Sequence, residues 1–174
     1  MEIRLAGMID ESVVDGPGVR MVFFTQGCPH HCPGCHNPAT HGFSGGTSYN
    51  TRELTKRILA HPYLSGITLS GGEPLCQAAA CAELAVAAKT LGKSVLLYSG
   101  YTFEQLPELA AQQPALPKLL KLIDILIDGP FLLAERNIDL VFRGSANQRI
   151  LDLPRSLTLG RPCELKLGRE ARGA

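Results

Sequence analysis

The sequence carries no excess of charge of either sign: 17 lysines and arginines stand against 16 acids, a formal +1. Nucleic-acid binders carry a basic surplus or stripe, so nucleic acid is excluded as the expected partner. Long apolar runs are missing too. The richest segment, Leu116 to Ile127, is cut by Lys118, Lys121 and Asp124, whereas a membrane span needs ~20 apolar residues in succession. Met1-Glu2-Ile3-Arg4 sets acid and base side by side with no apolar stretch behind, unlike a secretory leader. The expectation is a cytoplasmic protein with no membrane partner. Internal repeats and linkers are absent, and 174 residues fall short of the ~250 that a complete eight-fold β/α barrel needs. With 45% hydrophobic and 19% charged residues, the chain has enough apolar material for one core.

Cysteine, by contrast, is plentiful. Six cysteines in a cytoplasmic chain point to metal binding or catalysis rather than to disulfides.

Strand-like and helix-like segments alternate along the chain. Val19–Thr25 reads as a buried strand, as do Gly66–Ser70, Ser94–Tyr98 and Asp124–Ile127. Between them, Thr51 onward places Leu54, Ile58 and Leu59 on one helical face, and Gln77–Leu91 is an alanine-rich helix closed by Gly92. Thr102–Ala110 is a further helix, with Thr102 as its cap. This order implies parallel strands with right-handed crossovers. Every polar or glycine-rich motif then falls after the C-terminal end of a strand, the edge where such folds bind ligands. The expected fold is α/β, a partial (open) β/α barrel over residues 1–151. Residues 152–174 are a C-terminal extension in which Leu157, Leu159, Leu165 and Leu167 form a small hairpin or a loose tail, two readings that stay open.

The strongest chemical signal is Cys28-Pro29-His30-His31-Cys32-Pro33-Gly34-Cys35-His36, directly after the first of these strands. Its prolines resist helix and Gly34 removes a side chain, so the loop can wrap a compact object. Three soft thiolates suit zinc or an iron–sulfur cluster, and on this loop alone the two stand level. A structural zinc site usually pairs two Cys-x2-Cys-like halves, and the second half is missing. A four-iron cluster with three cysteines leaves one iron open to a small molecule. The second motif is Ser70-Gly71-Gly72-Glu73-Pro74. Its paired glycines admit close backbone approach, and the Glu73 carboxylate can meet an ammonium; by itself it is an ordinary turn before a proline-started helix.

Together, Cys-x3-Cys-x2-Cys after one strand and Gly-Gly-Glu after the next resemble the radical S-adenosylmethionine enzymes. Asp15-Gly16-Pro17-Gly18-Val19-Arg20 and Cys35-His36-Asn37-Pro38 look like the signature of activases that install glycyl radicals. Asp128-Gly129-Pro130-Phe131 and Phe142-Arg143-Gly144-Ser145-Ala146-Asn147-Gln148-Arg149 are similar to the activators of anaerobic ribonucleoside-triphosphate reductase.

The resemblance implies a 4Fe–4S cluster on Cys28, Cys32 and Cys35, whose open iron chelates S-adenosylmethionine. The backbone of Gly71, Gly72 and Glu73 would contact the methionine amino group. Gly34, Cys35 and His36 would lie along the adenine, and Asp128 near the ribose or a cation. An external one-electron donor would start cleavage of S-adenosylmethionine, and the resulting radical would take hydrogen from a glycine of the partner reductase, met by the Asp15–Arg20 loop. Related radical enzymes often carry an aromatic residue where this chain has Gly34. The alternatives are an activase of another glycyl-radical enzyme, such as pyruvate formate-lyase, and a zinc-stabilised binding module. Cys76, at a helix start where a thiol's pKa can fall, Cys81 and Cys163 read as bystanders. Arg143 and Arg149 either clamp a carboxylate or hold their loop.

Overall fold

The computed structural model describes residues 1–167. Seven strands form one sheet: β1 (Glu2–Ser12), β2 (Arg20–Thr25), β3 (Thr47–Asn50), β4 (Gly66–Gly71), β5 (Ser94–Tyr98), β6 (Ile125–Asp128) and β7 (Arg149–Asp152), in the order β3-β1-β2-β4-β5-β6-β7. The four central strands, β2, β4, β5 and β6, run parallel. Antiparallel β1 and β3 lie on one side and antiparallel β7 on the other. The end strands β3 and β7 do not pair, so the mixed α/β sheet stays open.

β1 and β3 are additions to the sequence reading. Glu2–Ser12 buries Ile3 and Leu5 in alternation but then loses its pattern, and its ladder with β2 carries two register shifts. An irregular strand with a half-solvated second part gives a weak period-2 signal. β3 has only four residues, none of them fully buried.

Five helices follow: α1 (Thr51–Leu59), α2 (Ala78–Thr90), α3 (Leu106–Gln112), α4 (Leu116–Leu120) and α5 (Leu153–Leu159). α1 starts where the Asn50 side chain accepts the Arg52 N–H at 2.9 Å. α2 is buried on most sides, which its alanines permit by letting neighbours approach closely. Around Thr102 the chain first makes a 3-10 turn, Phe103–Gln105, and then α3; the Gln105 side chain accepts the Thr102 N–H at 2.8 Å.

Because side chains alternate along a strand, each parallel strand serves two faces. Met21, Phe23, Ile67, Leu69, Val95, Leu97 and Leu126 join α1, α2 and α4 in the main apolar core. The opposite face has no helix of that core. Leu96 and Ile127 there pack against Phe142 and Ile150, with Val141, Leu165 and Leu167 alongside.

The chain beyond β7 departs from both expectations held for it. Leu157 and Leu159 lie in α5, which Asp152 caps by accepting the Arg155 N–H at 2.9 Å and which Gly160 ends in the left-handed conformation. Leu165 does not pair with them; its N–H donates to Ile150 O at 2.7 Å. The remainder of that expected extension, 168–174, lies outside the described residues.

Candidate metal centre

The long loop after β2 is closed at its base by its own backbone. Gly27 N–H donates to Thr40 O at 2.8 Å and Cys28 N–H to His41 O at 3.1 Å. Buried Gln26 adds its side-chain amide to Ala39 O and Gly42 O. Within this frame Cys35 N–H donates to Cys32 O at 3.1 Å, a tight turn. Gly34 within it has φ +73°, and a Cβ there would stand 2.8 Å from Leu133 Cδ1. Its lack of a side chain therefore serves both the turn and the packing on Leu133.

Cys28, Cys32 and Cys35 line one cavity of about 390 Å³ at the C-terminal edge of the parallel strands, and all three are free thiols. Burial raises the Cys28 thiol above its ordinary range, while backbone N–H groups of His30 and His31 pull the other way. Asn37 N–H points at Cys35 Sγ, 3.4 Å away. Two of the three sulfurs thus have backbone amide donors at hand. Among the described residues, no three His, Cys, Asp or Glu side chains converge closely enough to hold a single metal ion. The three sulfurs instead share a wall, and this donor set fits a wide, soft, multi-iron group.

Gly71 and Gly72 line the same cavity. Gly71 has φ +93° and lies so close to β2 that a Cβ would stand 2.6 Å from Phe24 Cα. Gly72 N–H donates to Thr25 O and Glu73 N–H to Gly27 O, each at 2.8 Å. The glycine pair thus lays bare backbone against the cysteine loop.

Two carboxylates singled out in the sequence are bonded within the fold. Glu73 does not present its carboxylate to the cavity: it is fully buried, accepting from Ser99 Oγ (3.0 and 3.1 Å), Gly100 N–H (2.9 Å) and Leu75 N–H (3.0 Å). His30 Nε2 lies 2.9 Å from Glu73 Oε2, the oxygen that also accepts Gly100 N–H. Tied to three loops, Glu73 is a post that fixes the cysteine loop against the ends of β4 and β5. His30 also packs edge-on against Tyr101. Asp128 is likewise fully buried and does not line the cavity. It accepts from Arg149 (2.5 and 3.0 Å) and from Phe103 N–H (2.7 Å). Both Asp128 oxygens are thus engaged within the fold. Its neighbour Gly129 lines the cavity instead.

His36 does line the cavity and packs against Phe131, ring centres 5.1 Å apart. Asp15 lines it as well, its carboxylate accepting from Ser12 Oγ at 2.5 Å. Arg20, in the same motif, does not face a partner. It is fully buried and donates to Thr68 Oγ1 (2.8 Å), Ser94 Oγ (2.8 Å) and Ile67 O (2.5 Å). Thr68 Oγ1 passes a bond of 2.7 Å to Asp15 O, so this network anchors the Asp15 loop.

Sequence reasoning missed the posts at Ser99 and Gly100, and the aromatic lining from Phe24, Tyr98 and Phe142. Only their places at strand ends and on one strand parity could have flagged them. Cys76, Cys81 and Cys163 stand outside the cavity. Partial burial of its sulfur, with Glu73 next, pushes the Cys76 thiol up to about 11, opposite to the lowering its helix-start position suggested.

A cavity at a parallel sheet edge, walled by three free thiols and bare glycine backbone, has the donor chemistry that suits an iron–sulfur cofactor. Residues 14–151 match the family model described as 4Fe-4S single cluster domain, which sets the class: a single-cluster iron–sulfur protein. Three relatives narrow it, each named anaerobic ribonucleoside-triphosphate reductase-activating protein. That of Vibrio cholerae is 39% identical over 147 residues, 79% of this chain and 90% of its own length. That of Salmonella typhi is 35% identical over 145 residues (78% and 90%), and that of Enterobacteria phage T4 35% over 146 (79% and 86%). The chain belongs to the family of anaerobic ribonucleoside-triphosphate reductase-activating proteins. No helix among the described residues is long and apolar enough to cross a membrane.

Proposed function

We propose that this chain is a radical S-adenosylmethionine enzyme that installs a glycyl radical on anaerobic ribonucleoside-triphosphate reductase in the cytoplasm, fed by an external one-electron donor. The open sheet is then the partial β/α barrel of that class, with the catalytic unit in residues 1–151 and 152–174 as its extension. The observation that carries this reading is the shared cavity of Cys28, Cys32 and Cys35 with the Gly71-Gly72 backbone, in a chain of the activating family.

Cys28, Cys32 and Cys35 hold the irons. When bound, the cluster supplies one electron that splits the S–C5′ bond of S-adenosylmethionine, giving methionine and a 5′-deoxyadenosyl radical that takes hydrogen from a glycine Cα. Gly71 and Gly72 offer backbone carbonyls to the methionine ammonium, which no side chain would let it reach. The Gly34–His36 stretch lies along the adenine, with Phe131 behind His36. The Glu73 backbone continues this glycine edge and Asp128 lies beneath the ribose end, while their carboxylates position the loops. Val14 and Asp15 on the cavity wall sit where the partner's glycine segment must enter.

The test is radical transfer. Anaerobically reconstituted protein, reduced with S-adenosylmethionine and the reductase, is expected to give a glycyl-radical resonance on the reductase and none with pyruvate formate-lyase. A resonance on pyruvate formate-lyase alone would overturn the choice of partner. Colourless protein that loads zinc and never a cluster would overturn the reading altogether.

A further inference from the structure

The chain between β6 and β7 is a built finger rather than a loose connection. Arg136 and Ser145 face each other in an antiparallel bridge, flanked by Asn137 N–H on Gly144 O (3.2 Å) and Ala146 N–H on Glu135 O (2.9 Å). Asp139 N–H donates to Asn137 Oδ1 at 2.9 Å and begins the turn at the tip. At the base, Gln148 accepts Gly144 N–H at 2.9 Å and donates to Gly129 O at 3.1 Å, and Arg143 donates to Gln148 O at 3.0 Å. Phe131, Leu140 and Phe142 of this finger line the cysteine cavity. Leu132, Leu133 and Ile138 do not line it and are exposed, Ile138 by 82%.

The turn between β1 and β2 has the same character. Ser12 Oγ donates to the Asp15 carboxylate at 2.5 Å and accepts Val14 N–H at 3.3 Å, while Asp15 O takes the Thr68 hydroxyl. Held in this way, the turn gives Val14 to the cavity wall and leaves Val13 and Val14 59% and 73% exposed. Single exposed aliphatic side chains need no explanation. Five on two hydrogen-bonded segments that border one cavity form a rim, and such clusters mark contact surfaces. The charges on the finger's outer stretch, Glu135, Arg136 and Asp139, are of mixed sign, so the rim carries no strong field for a charged partner.

We infer that this rim is the docking surface for the glycine-bearing segment of the reductase, which it grips through apolar side chains on either side of the glycine. The inference rests on the proposed function and names the surface on which that partner lies. A glycine Cα on a protein can enter the cavity only if the chain leading in and out of it crosses the bordering segments. Three extended residues cover about 10 Å, more than a compact cavity of about 390 Å³ is wide. The residues flanking the glycine therefore come to rest on Val13, Val14, Leu132, Leu133 and Ile138, and the protein that fills the cavity also covers the rim.

Sedimentation velocity of the anaerobically reconstituted protein with the reductase reads the contact directly, with Ile138→Asp and Val13→Asp beside the wild type. Both positions lie outside the cavity lining. Iron and sulfide content, the thermal midpoint and 5′-deoxyadenosine release without reductase are therefore expected to match wild type. Affinity for the reductase is expected to fall about ten- to a hundredfold in each variant, since each places a charge in an apolar contact. Ile138→Val keeps the contact apolar and is expected to stay within about threefold of wild type. In glycyl-radical formation the loss appears as a raised KM for the reductase with kcat kept. Unchanged affinity in both aspartate variants overturns the docking rim and leaves the proposed function standing. So does self-association of the wild type that I138D abolishes while reductase binding is untouched, which gives the rim to a second copy of this chain. Cluster-loaded wild type that never cleaves S-adenosylmethionine overturns the proposed function, and the inference with it.

Discussion

The two faces of the central sheet are built from the same strands and do opposite things. On the helix-covered face, Met21, Phe23, Ile67, Leu69, Val95 and Leu97 are each at most 1% exposed and meet only apolar neighbours in the core of α1, α2 and α4. On the other face, alternate residues of those strands include buried Arg20 and Thr68 with half-buried Ser94 toward one end of the strands and the cysteine cavity at the other. The first face is held by area removed from water, which is non-directional and tolerant of local change. The second adds to its smaller apolar cluster hydrogen bonds between groups far apart in sequence, each with one right geometry. The comparison teaches that stability and function here are carried on opposite parities of one strand set.

The largest stability effect should come from the dry face. Leu84→Ala, at a fully buried position in α2, is expected to cost about 2–5 kcal/mol in urea unfolding while leaving the cluster content of the folded fraction unchanged. Loss of cluster in protein that remains folded would show that the faces are not separable. Gly71→Ala comes next. Its φ of +93° and a Cβ 2.6 Å from Phe24 Cα leave no way for a methyl group to fit, so about 2–4 kcal/mol is expected, together with weakened S-adenosylmethionine binding. Retained binding would remove the glycine pair from the ligand site.

Arg149→Gln sharpens the comparison within the polar face. It leaves the buried Asp128 carboxylate with Phe103 N–H as its remaining partner, at a cost of about 2–3 kcal/mol at neutral pH. Part of that gap is pH-dependent. The Arg149 fork holds the Glu104 carboxyl at about 2, from an ordinary 4.5. A depressed carboxylate stabilises above its unfolded value, and that contribution is lost as pH falls through its folded one. The Glu104 share should therefore be full above about pH 4.5 and vanish toward pH 2, small because Glu104 is half exposed. Urea midpoints of wild type and variant across that range would show it as a narrowing gap. Smallest is Arg57→Ala, which breaks an exposed pair with Asp10; below about 1 kcal/mol, fading with added salt, is expected.

Much of this was legible in the residues themselves. Runs such as Met21–Phe24 and Val95–Leu97 declare buried parallel strands, and the spacing of Cys28, Cys32 and Cys35 places three thiolates on one short loop after the first of them. What failed to read was what depends on distant partners. Glu73 and Asp128 look like ligand carboxylates in a linear view. Only the fold brings Ser99, Gly100 and His30 to one, and Arg149 to the other. Arg143 and Arg149 are indistinguishable by type and separate only by which of them finds a carboxylate. β1 was hidden because its ladder slips register, and α5 because Leu157 and Leu159 alternate as in a strand while its buried face is made by Leu153 and Ser156.

The central claim is that three thiolates and a bare glycine backbone in one cavity form a site for reductive cleavage of S-adenosylmethionine. The most direct measurement is anaerobic reconstitution with iron and sulfide, followed by reduction with S-adenosylmethionine and quantitation of 5′-deoxyadenosine, for wild type and Cys32→Ala side by side. Brown wild-type protein that releases methionine and 5′-deoxyadenosine in equal amounts, with neither product from Cys32→Ala, is the predicted result. Cleavage that persists in Cys32→Ala, or that never occurs in fully loaded wild type, would contradict it.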